Sequence, residues 1–354
     1  MPEPCVRVPV GGPPASSLDI LARLATARLD ATGVDWRPIA ATHGLALGDE
    51  PRPEMRIPTR REHAFLEEAA EASRDPLFLW RLGDLSITSF GLPGYAILHG
   101  ATVAEALETL ASMMPSVCEA VYLRTVVDGA SATLVYANSD VRQNSVFVLH
   151  CTLNLLRDLI GPQFAPTRVG LAITDRCHLP VVARQISAPV SADLPYAFIT
   201  FPARHLRGRV LGADERLAET LRPYWEPGLA AMSRRPAIVR SRLEGAVVQT
   251  LHEGVPTLER LADNLLMRRG RLASEMAAVG GYRAVVEDVR RRLAQELIQR
   301  TDLSMAMIAE SLGFSEAGAL TQAYRRWTGH SPASERLAPS VPGRAPGGGP
   351  RQGD

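Results

Sequence analysis

The sequence predicts a two-part fold: an α+β N-terminal domain followed by an all-α domain with two helix-turn-helix subdomains joined by a long helix. Three observations predict it. The hydrophobic period switches from helical to alternating near Glu119, and returns to helical near Asn144. After Asp214 every patterned stretch has helical period. Within that second part a unit recurs: "TLERLADNLLM" (Thr257–Met267) and "SMAMIAESLGF" (Ser304–Phe314) align at one offset. Leu261-Ala262 matches Ile308-Ala309, and Leu265 matches Leu312.

Helical spacing begins at Leu18, with Leu21, Leu24, Ala25 and Leu29 on one face. A second helix fits Thr59–Ser73. A third follows "HGATVAEALETLASMM", where Thr102 and Glu105 have capping-box spacing and Val103, Leu107, Leu110 and Met114 share a face. Residues 119–137 alternate on both sides of Asp128-Gly129, the pattern of a β-hairpin. A helix over about Asn144–Ile160 and short strands at Val169–Thr174 and Ala197–Phe201 complete the mixed part. The expected boundaries are a disordered 1–15, a first domain over 16–230, a linker region over 231–255, a second domain over 256–337 and a disordered tail over 338–354. The stretch "YWEPGLAAMSRRP" reads as the junction between the two parts.

The chain has 354 residues, 46% of them hydrophobic and 22% charged, enough for two domains with cores of their own. Its 39 basic residues are all arginine and are nearly balanced by 38 acidic ones, so attraction to phosphate has to be local. Cys5, Cys118, Cys151 and Cys177 form no CxxC pair, so neither a metal nor a redox site is expected. The start "MPEPCVRVPVGGPP" lacks a signal-peptide pattern and no run approaches a membrane span, which leads to the expectation of a cytoplasmic protein with reduced thiols. Cys177-His178 reads as an ordinary turn, and His150 and Cys151, on an apolar helix, as core or near-core residues. With no GxGxxG, P-loop, GxSxG or HExxH, no catalytic residue and no cofactor are expected.

In the second repeated unit, Leu320, Ala323, Tyr324 and Trp327 fall at i, i+3, i+4 and i+7 and form the stripe to be buried. The opposite face carries Ser315, Gly318, Gln322, Arg325 and Arg326, with Thr321 beside them. Glutamine pairs with adenine, and arginine with guanine or phosphate, in the major groove of duplex DNA. Ser315 is placed to cap this helix and offer its N-terminus to a phosphate. In the first unit "RRGRLASEMAAVG" leaves Gly270, Ser274, Ala277 and Ala278 outward, so only Arg268, Arg269 and Arg271 reach far, and they suit phosphates better than bases. Arg268 stands where a capping residue is wanted.

The stretch Thr257–Arg336, and "DLSMAMIAESLGFSEAGALTQAYRRWTGHSP" most of all, resembles the AraC/XylS family of bacterial transcription regulators. The segments "FGLPGYAILHGATVAEALETL" and "ISAPVSADLPYAFITFPARHLRGRVLGADERLAETL" resemble the arabinose-binding type domain of a branch of that family. The resemblance implies a DNA-binding regulator with two recognition helices. It often implies a small-molecule effector and homodimerisation through the first domain, and for an activator contact with RNA polymerase. Tyr95 and His99, flanking "GLPGY", are then candidates for an effector pocket, with plain packing as the alternative. Control by a protein partner or by abundance is the alternative within this class. An N-terminal enzyme domain is the rival outside it.

Overall fold

The computed structural model describes residues 15–47, 55–138, 145–172, 179–194, 196–232, 236–265 and 267–337. All but Ala15 of the termini expected to be disordered lies outside the described residues, as do Cys5, Cys177 and His178. Among the described residues no helix is long and apolar enough to cross a membrane.

The first part opens with β1 (Ser16–Leu18), α1 (Ile20–Ala31), α2 (Arg37–Thr42), β2 (Arg56–Pro58), α3 (Thr59–Ser73), α4 (Phe78–Leu82), α5 (Leu92–Leu98) and α6 (Val103–Val117). It continues with β3 (Val121–Asp128), β4 (Ser131–Asn138), α7 (Ser145–Ile160), β5 (Arg168–Ala172), α8 (Leu179–Val182), β6 (Val190–Leu194), β7 (Ala197–Pro202) and α9 (Glu215–Met232). The second part is α10 (Pro236–Thr250), α11 (Leu258–Asn264), α12 (Arg269–Ala278), α13 (Tyr282–Arg300), α14 (Met305–Ser311), α15 (Ala317–Thr328) and α16 (Pro332–Leu337).

Local chemistry accounts for the elements the sequence marks well. Thr102 Oγ1 accepts from the Glu105 N–H at 3.2 Å, and the Glu105 carboxylate accepts from the Ala101 N–H at the same distance, so the box caps α6. Val103, Ala106, Leu107, Leu110 and Met113 of α6 are buried. The hairpin closes with Asp128 opposite Ser131, and Gly129 takes the positive φ of 54° that the tight turn needs. Leu18 departs from expectation: it ends β1, which pairs antiparallel with β2, and the helix starts two residues later. Strands of three residues are too short to show a period, so neither β1 nor β2 was legible.

The five-stranded sheet runs β3-β4-β7-β5-β6, antiparallel except for the β5–β6 pair. Its strands separate two cores. Leu123, Leu134, Tyr136, Ile199 and Phe201 face the helices of the first part. Tyr122, Val135, Ala137, Tyr196 and Phe198 face the other way and join the core of the second part. A sheet apolar on both faces must be covered on both. The second cover is α10, whose Leu243, Ala246 and Val247 have no exposed surface. The stretch expected as linker, 231–255, therefore holds a buried helix. At Gly245 an added Cβ would lie 2.3 Å from the Tyr122 Cβ, so the approach of α10 to β3 needs glycine there.

Candidate nucleic-acid interface and cavities

The two helix-turn-helix units stand on α13. Thr257 Oγ1 accepts from the Arg260 N–H and Ser304 Oγ from the Met307 N–H, both at 3.2 Å, so each unit's first helix has the hydroxyl cap its sequence promised. In the second unit Gly313 makes the turn with φ 68°, and a Cβ there would strike the Leu251 carbonyl oxygen at 2.6 Å. Arg290 of α13 pins that turn. Its Nε and Nη2 donate to the Leu312 and Gly313 carbonyls at 2.9 and 3.0 Å, and its guanidinium lies 3.5 Å from the Phe314 ring centre. Burial lowers its pKa to about 10, so it stays charged at neutrality. The sequence placed Arg290 on a helix but did not reveal this partner, which is 22 residues away.

The second recognition helix, α15, buries Leu320, Ala323 and Tyr324 of the expected stripe, while its fourth member, Trp327 in the last turn, is only half-buried and packs beside Phe314. Ser315, Gly318, Gln322, Arg325 and Arg326 are all exposed. Gln322 and Arg325 have no side-chain partner among the described residues. Arg326 does have one: its Nη2 lies 2.9 Å from Glu287 on α13, and the Trp327 indole N–H donates to the same oxygen at 2.9 Å. The Trp327 bond and then Arg326 hold the Glu287 carboxyl below its ordinary range. Thr321 is half-buried and its hydroxyl donates to the Ala317 carbonyl at 2.9 Å, within its own helix. Ser315 does not cap α15. The helix starts after Glu316, whose backbone is extended at the N-cap and whose side chain makes no cap bond. That puts a carboxylate rather than a hydroxyl at the helix start.

The first recognition helix, α12, buries Leu272 and Met276, and begins after Arg268 with no side-chain cap, as expected. Neither recognition helix is capped by a side chain, so capping does not distinguish them. Ser274, Ala277 and Ala278 are exposed. Arg268 is exposed with no side-chain partner among the described residues. Arg269 pairs with Glu259 at 3.0 Å and Arg271 with Glu275 at 3.0 Å. The other Glu275 oxygen binds Arg242 of α10.

Two cavities lie in or beside the first part. The larger, about 870 Å³, is bounded by α6, β3, α9 and α10, including Glu108, Tyr122, Trp225 and Arg242. The smaller, about 90 Å³, lies among α1, α3, α6 and α7 beside Glu62 and Cys151. Glu62 is buried, accepts from the Ser17 hydroxyl, and burial pushes its pKa up to about 7. Burial likewise pushes the Cys151 thiol up to about 12. Tyr95 and His99 line neither cavity. Tyr95 is 45% exposed, and His99 Nδ1 accepts from the Asp214 N–H at 3.3 Å, which ties α5 to the start of α9. His150 is a core residue as expected, stacked on Trp80 with ring centres 4.1 Å apart.

Family models match both parts of this arrangement. Residues 33–210 match the model of the arabinose-binding domain of AraC transcription regulators, and residues 261–337 match a helix-turn-helix domain model. The ornithine utilization regulator of Pseudomonas aeruginosa is 25% identical over 261 residues, 72% of this chain and 76% of the relative. The regulator VirS of Mycobacterium tuberculosis is 33% identical over 109 residues, 30% of this chain and 32% of the relative. Among solved structures, the transcriptional regulator CdpR from Pseudomonas aeruginosa aligns over 90% of this chain and 98% of its own at a TM-score of 0.45 and 19% identity. With a mixed α/β domain leading into paired helix-turn-helix units, the chain belongs to the AraC family of DNA-binding transcription regulators, in the branch with an arabinose-binding-type N-terminal domain.

Proposed function

We propose that this chain is a sequence-specific regulator that works as a cytoplasmic homodimer, reads bases mainly through α15, and is controlled by a small molecule held in its N-terminal domain. One observation carries the base-reading part. On α15 the side chains of Gln322 and Arg325 stand exposed and uncommitted, opposite a stripe that is buried. Both are long enough to reach base edges in the major groove.

The α12 surface supports a different role. Its outward alanines and Ser274 are too short to read most base edges. Arg268 is free to meet a phosphate. The Arg269 and Arg271 pairs involve arginines 68% and 70% exposed, and such surface pairs are weak enough to be exchanged for phosphates. Effector control is supported by the type of N-terminal domain and by the 870 Å³ cavity, a size suited to a small ligand.

Selection from a randomised DNA pool with the full chain tests the reading. The half-site under α15 is expected to be rich in sequence information and the half-site under α12 poor. Gln322→Ala should relax one or two positions, at about 1–3 kcal/mol for each good contact. Arg268→Ala should weaken all sequences alike and reduce the salt slope by roughly one. Equal information in both half-sites would refute the division of labour. No enrichment at all would refute sequence-specific binding.

A further inference from the structure

The larger cavity and the first recognition helix share one arginine. Arg242 of α10 lines the cavity, and its Nη2 binds Glu275 of α12. Glu275 in turn holds Arg271, a proposed phosphate contact. Two N–H donors on residues lining this cavity are shut off from solvent and have no acceptor among the described residues: Arg242 Nε and Trp225 Nε1. A buried donor without an acceptor bears the full cost of its lost hydration, so the pair asks for one. The rest of the charged lining is mostly of the opposite sign, with Arg222 of α9 as its one other cation among the described residues. Glu108, Glu219 and Glu226 reach the cavity from α6 and α9, with no ion-pair partner among the described residues.

We infer that this cavity binds a small zwitterion of the amino-acid type, carboxylate toward Arg242 and Trp225 and ammonium toward the glutamates, and that Arg242 transmits its presence to α12. The inference rests on the reading that a small molecule controls DNA binding. A carboxylate matches the planar guanidinium and also accepts from the indole. An anion lacking a cationic group would face the unpaired glutamates. A simple amine would leave both donors unsatisfied.

The ligand's carboxylate competes with Glu275 for Arg242. Once Arg242 turns to the ligand, Glu275 has only Arg271 to neutralise it. A carboxylate with less compensation then sits beside the surface proposed to meet phosphates, and it holds Arg271 more tightly. Occupancy of the cavity therefore weakens the grip of the first unit on DNA. By linkage, DNA weakens ligand binding by the same factor.

Calorimetry on the full chain tests this, with the standard L-amino acids as probes and with cadaverine and hexanoate as half-ligands. At least one amino acid is expected to bind, and neither half-ligand. Arg242→Gln and, as a variant that keeps the ring packing, Trp225→Phe should each lower that affinity at least tenfold. Saturating amino acid should weaken DNA binding by the wild type several-fold. Glu275→Gln should retain amino-acid binding and lose this effect on DNA. Failure of every amino acid to bind, binding unchanged in both cavity variants, an unchanged or raised DNA affinity, or coupling that survives Glu275→Gln would each overturn the inference. DNA binding without any added probe is read separately. Its absence would instead sink the regulator reading, and an effect on DNA that persists in both cavity variants would keep effector control while removing it from this cavity.

Discussion

At the scale of single residues, Glu62 shows how burial sets chemistry. The carboxyl lies in the first core and accepts from the Ser17 hydroxyl, and burial raises its pKa from 4.5 to about 7. A group whose folded pKa is raised stabilises the fold fully below its unfolded pKa, and that stability is lost as pH rises through the folded value. Glu62 therefore contributes most below pH 4.5 and loses its contribution as pH passes 7. Glu62→Gln keeps an acceptor for Ser17 and removes the ionisation. Denaturant melts should find the variant gaining on the wild type by on the order of 2–3 kcal/mol between pH 5 and pH 8.5. A difference that does not change with pH would contradict a buried ionisation at this position. Gly318 is a second such residue. It sits in the first turn of α15, where a Cβ would meet nothing nearer than the Glu316 carboxylate at 3.5 Å. The protein itself has room for alanine there, and alanine favours a helix by about 0.8–1.0 kcal/mol. Gly318→Ala should raise thermal stability. If DNA backbone passes close to this turn, the same change should weaken DNA binding. Tighter binding by the variant would show that the glycine makes no room for DNA.

At the scale of elements, α10 changes what counts as the DNA-binding unit. Leu243, Val247 and Leu251 are fully buried in the same core as Leu261, Leu293 and Leu312. A charge cluster fastens α10 to α13 as well: Arg240 and Arg292 both meet Glu244 and Asp288, at 2.6–3.2 Å. Burial pushes the Asp288 carboxyl up, but Arg292, Arg291 and Arg240 together outweigh it and hold it below the usual range. A fragment beginning at Pro256 would lose all of this. Each fully buried leucine or valine contributes about 1.5–3 kcal/mol, so several are comparable to the whole stability of a small domain. By circular dichroism, residues 236–337 should melt cooperatively, while residues 256–337 should lack a cooperative transition. Equal melting of the two fragments would show that α10 is dispensable.

At the scale of the whole molecule, the sheet joins the two halves. α10 packs on β3 and β4 through one face and on the helix-turn-helix core through another, and Tyr122 and Arg124 of β3 both donate to the Asn264 side chain of α11. Motion of α10 would therefore reach both the cavity and the first unit. Gly245→Ala would force α10 away from Tyr122, and overpacking of this kind typically costs about 1–3 kcal/mol. Calorimetry should show the wild type unfolding in one main transition and the variant splitting into two as the halves uncouple. A single transition with unchanged midpoint would mean that this contact does not couple them.

The sequence by itself determined the helices and the hairpin, the repeated unit and its hydroxyl caps, the buried stripe of α15 and the outward placement of Gln322 and Arg325. These follow from local spacing, because an apolar face three or four residues in period marks its own inner side. Tertiary structure alone decided what covers each face and which partner each long side chain takes. It placed α10 between sheet and helices where a linker was expected, started α15 after Glu316 rather than at Ser315, and left Tyr95 and His99 outside both cavities. It also drew Arg326 to Glu287 across 39 residues and Arg242 to Glu275 across 33. An arginine samples many rotamers around its Cα, and it settles on whichever carboxylate the packing of distant elements brings within reach. Periodicity along the chain carries no record of that distance.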